Sequence, residues 1–157
     1  MSQQMIKART NEVHEFLNKV VFGVDQYLNT HSLNDLIEEN GSHEEDYYKQ
    51  LLKSLRRLNV FCDEARDKLS VLLQAPSFSE SSAEKTLYGI YHRCVAEFFS
   101  PKGDTWFENS RASYTGNRSI KFLYDPPASL MELFSFLENL FQNIREELDF
   151  YATYGHV

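Results

Sequence analysis

Apolar residues recur along most of this chain at three- and four-residue steps, the spacing that lines one face of an α-helix. From about Gln4 to Asn29 the stripe is Ile6, Val13, Phe16, Leu17, Val20, Val24, Tyr27 and Leu28. Gly23 interrupts it and weakens the helix by up to ~1 kcal/mol relative to Ala, so a close helix–helix approach is expected there. Ser32-Leu33-Asn34-Asp35 opens a short helical piece reaching Glu39, and Asn40-Gly41 ends it. Ser42-His43-Glu44-Glu45 then reads as a capping box, in which a hydroxyl and a carboxylate satisfy free N–H groups at a helix start. The helix it opens buries Tyr47, Leu51, Leu55, Leu58, Cys62, Ala65, Leu69 and Leu72, and it ends before Pro76.

A polar linker at 77–82 leads to a third helix from about Ser82 to Phe99, with Leu87, Ile90, Tyr91, Cys94, Val95 and Phe98 inward and Pro101 as its stop. The last helix follows Pro126-Pro127, with Ser129 and Glu132 as a second capping box. Its stripe is Leu130, Leu133, Phe134, Leu137, Leu140, Phe141, Ile144, Leu148 and Tyr151. These amphipathic segments predict a mainly α protein: one domain over 1–157, a four-helix bundle.

Residues 100–127 break the helical period. They hold two of the six glycines, three of the four prolines and the only Trp. Ala112–Thr115 and Arg118–Phe122 flank Gly116-Asn117, a pair that suits a two-residue hairpin turn. A β-hairpin or ordered loop is therefore expected between helices three and four, over 102–125, packed by Trp106, Phe107, Tyr114 and Phe122.

Composition alters this picture only at the insertion. The chain has twelve Phe and nine Tyr, and its net charge is −7, which argues against general DNA binding because that needs a basic footprint. The 101–125 segment alone is weakly positive, with Lys102, Arg111, Arg118 and Lys121 against Asp104, Glu108 and Asp125. Backbone N–H groups at Thr115, Gly116 and Asn117, hydroxyls of Ser113 and Ser119, and two guanidinium groups could surround a phosphate or carboxylate. The alternative is that Arg111 and Arg118 pair with helix carboxylates and fasten the segment down. Candidate binding residues are Arg111, Ser113, Tyr114, Gly116, Asn117, Arg118 and Lys121, with Trp106 and His92 beside them.

Catalytic and metal chemistry finds no motif. The residues three before each histidine are Asn11, Leu28, Asn40, Gly89 and Thr153, so the Glu-x-x-His step of di-iron bundles is missing and no metal or cofactor is expected. His92 and Cys94 point about 200° apart on one helix and cannot form a nucleophilic dyad. His92-Arg93 with Glu97 could line a pocket beside the insertion. Lys53, Arg56 and Arg57 read as a solvated basic face. The two cysteines, Cys62 and Cys94, fall in apolar patterns and read as buried reduced thiols. No stretch approaches the ~20 apolar residues of a membrane span, and the start at Met1-Ser2-Gln3-Gln4 lacks a basic region before an apolar run, so a cytoplasmic location is expected.

The run from Ala83 to Cys94, Phe98-Phe99-Ser100-Pro101-Lys102 with its continuation to Arg111, and Tyr114-Thr115-Gly116 with its continuation to Phe122 resemble the YpuI-like family of small Bacillus-type bacterial proteins. The resemblance extends over most of the chain. It implies a cytoplasmic bacterial protein and supplies no reaction, ligand or catalytic residue. The leading expectation is a non-enzymatic binding protein presenting 102–122 to an unknown protein partner or small anion. One alternative is an enzyme on a phosphorylated or nucleotide-like substrate, with Arg111 and Arg118 holding the phosphate and His92 as acid/base. Another is a homodimer formed through exposed helix aromatics.

Overall fold

In a computed structural model, residues 3–40, 44–109 and 118–153 are described. The elements in chain order are α1 (Gln3–Thr30), α2 (Leu33–Asn40), α3 (Glu45–Gln74), α4 (Glu80–Ile90), a π-helical turn (Tyr91–Val95), α5 (Ala96–Phe99), β1 (Trp106–Glu108), β2 (Ile120–Phe122) and α6 (Ala128–Thr153). The protein is mainly helical with one small two-stranded antiparallel sheet. α1 lies against α3, α4 and α6, while α4 also touches α3 and α6.

The stripes read from the sequence are the buried faces. Val13, Leu17, Val20 and Val24 of α1, Leu55, Leu58 and Leu69 of α3, Leu87 of α4, and Leu137, Phe141 and Leu148 of α6 are all fully excluded from solvent. Each such side chain contributes roughly 1.5–3 kcal/mol by leaving water. Leu28, Leu72 and Leu140 are only partly buried against this core. An aromatic column ties the layers together. Phe98 stacks on Phe141 with ring centroids 4.3 Å apart, Phe16 meets Phe141 edge-on at 4.9 Å, and Trp106 and Phe122 meet Phe134 at 4.7 and 5.0 Å. Such pairs add about 0.5–1.5 kcal/mol each beyond area burial.

Gly23 does mark a close approach: a Cβ there would sit 3.0 Å from Phe136 Cε2 of α6. The third long segment is one run, α4 to α5, widened at Tyr91–Val95 so that the adjacent pairs Cys94-Val95 and Phe98-Phe99 are all buried.

The helix starts differ from expectation. α3 begins at Glu45 with Glu44 at its cap and no side-chain cap bond, and Ser42 lies outside the described residues. A reciprocal box forms instead at α2, where Ser32 N donates to Asp35 Oδ2 at 2.8 Å and Asp35 N to Ser32 Oγ at 3.2 Å. At α6, Ser129 bonds to Glu39 rather than Glu132: its N and Oγ both donate to the Glu39 carboxylate at 2.7 Å. A carboxylate from α2 therefore occupies the positive end of α6. α4 is capped by Ser79, whose Oγ accepts from Ser82 N at 3.3 Å.

The sheet also differs in its partner strand. β2 pairs with β1 in the register Trp106↔Phe122, Phe107↔Lys121 and Glu108↔Ile120. A two-residue turn at Gly116-Asn117 would instead have set Ile120 opposite Ser113. The 112–115 segment lies outside the described residues. The physical reason for the observed pairing is packing: it places Trp106 and Phe122, 6.5 Å apart, together over Phe134.

Candidate functional site

The insertion is fixed to the helices by polar contacts at both ends. Of the five buried polar or charged side chains among the described residues, four (Ser54, Thr105, Ser119 and Glu138) lie at this junction. At the neck, the Tyr47 hydroxyl of α3 donates to Thr105 O at 2.5 Å and accepts from Leu123 N at 3.2 Å, joining the two ends of the segment. Burial pushes the Tyr47 hydroxyl from 10.0 up to about 12, against the smaller opposing pull of hydrogen bonds from the Tyr124 and Leu123 backbone. Thr105 Oγ1 reaches Ser54 Oγ at 3.3 Å, and the Trp106 indole donates to Phe98 O at 2.6 Å, satisfying a carbonyl that the end of α5 leaves open.

Further along, Glu138 of α6 accepts from Ser119 N at 3.0 Å, Ser119 Oγ at 3.3 Å and Ile120 N at 3.3 Å. Gln142 Nε2 donates to Ser119 Oγ at 3.1 Å. Arg145 bridges to Glu108 of β1 through two bonds of 3.0 and 2.8 Å, donates to Gln142 Oε1 at 2.8 Å, and lies 3.7 Å from the centre of the Phe99 ring. A bidentate guanidinium–carboxylate pair largely withdrawn from water is a strong fastener. So the segment is stapled, but the ion pair runs from a helix cation to a strand carboxylate, the reverse of the expected Arg118-to-helix pairing.

That arrangement leaves Arg118 and Lys121 exposed, and neither has an ion-pair partner among the described residues. Both line a recess of about 340 Å³ together with Phe122, Met131, Phe134, Asp125 and Glu138. Its lining is part apolar and part charged, with both signs present.

The other expected site residues are dispersed. Arg111, Ser113, Tyr114, Gly116 and Asn117 lie outside the described residues. Trp106 is 3% exposed and belongs to the core rather than to a contact surface. His92 Nε2 is 3.1 Å from Ala152 O, near the far end of α6, with its ring against Tyr88 and Tyr91. Ser119, next to Arg118, is held at Glu138, so the α6 anchor points of the two groups, Glu138 and Ala152, are fourteen residues or about 21 Å apart along the helix. The structure does not bring His92 to Arg118. Arg57 pairs with Glu97 at 3.0 Å. Cys62 and Cys94 are both buried free thiols, and the Cys94 contact, followed by burial, pushes the Cys62 thiol well up. Among the described residues no three His, Cys, Asp or Glu side chains gather as metal ligands, and no helix is long and apolar enough to cross a membrane.

Comparison with known proteins places this architecture. Residues 10–155 match the model of a family described as "Protein of unknown function (DUF3907)". The chain belongs to that family. It is also 44% identical over 155 residues to "Uncharacterized protein YpuI" of Bacillus subtilis (strain 168), covering 99% of this chain and 86% of the relative. The YpuI-like resemblance of the 83–122 motifs is thereby borne out over nearly the whole chain. No solved structure matches. Within this DUF3907 member, Glu138, Gln142 and Arg145 were missed as candidate residues. The signal for Glu138 was its place one helical turn from both Phe134 and Phe141, a carboxylate on the buried face.

Proposed function

We propose that the chain is a non-enzymatic binding protein whose four long helical segments form a four-helix bundle carrying the 102–122 segment as its binding element. The ligand is anionic, either a small carboxylate or phosphate or an acidic stretch of a protein partner. One observation carries the reading: Arg118, just before β2, and Lys121, within it, stand exposed without ion-pair partners among the described residues, on backbone that Glu138 holds in place. The apolar part of the same recess, Phe122, Met131 and Phe134, suits a ligand with an apolar body. The enzyme alternative is weaker, because the proposed acid/base His92 is bonded about 21 Å along α6 from the anion position.

The test compares wild type with Arg118→Ala/Lys121→Ala, titrated with benzoate and with a hexaglutamate peptide. Two lost charge-assisted hydrogen bonds of about 1.5 kcal/mol each predict a roughly hundredfold weaker Kd. Both side chains are exposed, so the Tm is expected to move by less than about 2 °C. Unfolding of the double variant, or unchanged binding, would refute the reading.

A homodimer reading has its own observation. Phe22 is 66% exposed, and Phe136, 44% exposed, packs on the neighbouring Gly23. Sedimentation across a concentration series tests it: a monomer at all concentrations removes it.

A further inference from the structure

A second recess, of about 300 Å³, lies between α3 and the α4–π-turn segment, away from the insertion. Phe61, Ala65, Ile90 and Cys94 form its apolar lining, and Lys68, Lys85, Arg93 and Glu64 supply its charges. Three cations against one carboxylate is a local excess of two positive charges in a chain of net charge −7. A cluster of one sign in a recess raises the local concentration of small anions.

The cations are not consumed by structural pairing. Lys68 and Lys85 are exposed and have no ion-pair partner among the described residues. Arg93 reaches Glu64 only at 3.7 Å, too long for a charge-assisted hydrogen bond. Its guanidinium is instead positioned over the Phe61 ring, 4.4 Å from the centroid, which fixes the cation while leaving its N–H donors for another acceptor. Gly89 opens the wall, since a Cβ built there meets nothing within 4 Å. The π-helical turn carries both Arg93 and Cys94, and widened turns of this kind occur frequently at functional sites.

We propose that this recess binds a small phosphorylated molecule: Lys68, Lys85 and Arg93 hold the phosphate, and the apolar lining takes the attached carbon skeleton. Phosphate suits the site better than a monocarboxylate because a dianion matches the excess of two charges.

The test is a titration of the full chain, followed by backbone amide NMR, with phenyl phosphate, inorganic phosphate and benzyl alcohol. Phenyl phosphate is expected to shift the Gly89, Arg93 and Ala65 amides saturably, and to bind at least about tenfold tighter than either fragment. Lys68→Ala/Lys85→Ala is expected to weaken it by roughly tenfold per cation removed. Gly89→Leu fills the opening without straining the helix and is expected to abolish binding while the fold is retained. Arg118→Ala/Lys121→Ala leaves these shifts intact, which separates this site from the insertion. Benzyl alcohol binding as tightly as phenyl phosphate, shifts unaffected by the lysine substitutions, or no shifts at the recess would each overturn the proposal.

Discussion

Gly23 and Gly89 are both helical glycines, yet their surroundings give them opposite values as sites for substitution. At Gly89 an added methyl meets open space, so Gly89→Ala gains helix propensity with nothing lost. It is expected to stabilise the protein by about 0.5–1 kcal/mol, measured by urea denaturation. At Gly23 the methyl presses on Phe136 at 3.0 Å. Phe136 is half-exposed and can shift, but the adjustment offsets the propensity gain, so Gly23→Ala is expected to fall well short of Gly89→Ala. The Gly23 close approach was legible from a glycine inside an apolar stripe. The openness at Gly89 was not, because spacing along one helix says nothing about the distance to its neighbour.

At the scale of elements, the buried faces of α1, α3 and α6 follow from the sequence because a 3.6-residue period is local information. The helix starts and the sheet do not. The α6 start is satisfied by Glu39, ninety residues away in sequence, and β2 is held by Glu138 through backbone N–H groups eighteen and nineteen residues away. Backbone donors have no residue type, so no motif announces such contacts. The same fact makes Glu138 the most sensitive single position in the insertion. Glu138→Ala leaves the buried Ser119 and Ile120 N–H groups without their acceptor and is expected to cost roughly 2–4 kcal/mol by equilibrium denaturation. An effect below about 0.5 kcal/mol would mean that β2 is held by packing alone.

For the molecule as a whole, the alkaline limit of stability follows from the buried tyrosines. Tyr47 and Tyr27 are pushed from 10.0 to about 12, in both cases chiefly by burial. Above pH 10 the unfolded chain releases these protons while the folded chain retains them, so stability falls as pH rises. Their contribution is complete below pH 10 and is lost as pH climbs from about 10 through 12. Tyr47→Phe is expected to flatten part of that decline, read from denaturation midpoints across the range, although it also loosens the neck of the insertion at every pH.

The functional reading depends on the 102–122 segment being part of the folded body, so that the recess beneath Arg118 and Lys121 exists before any ligand arrives. Native-state amide hydrogen exchange of the full chain measures this directly. If Glu138 and Tyr47 hold the segment as described, the Ser119, Ile120 and Leu123 amides exchange only through global unfolding, with the protection of Leu55 and Phe141 in the core helices. Exchange of those three amides at the rates of an open loop, while the helices stay protected, would contradict the account.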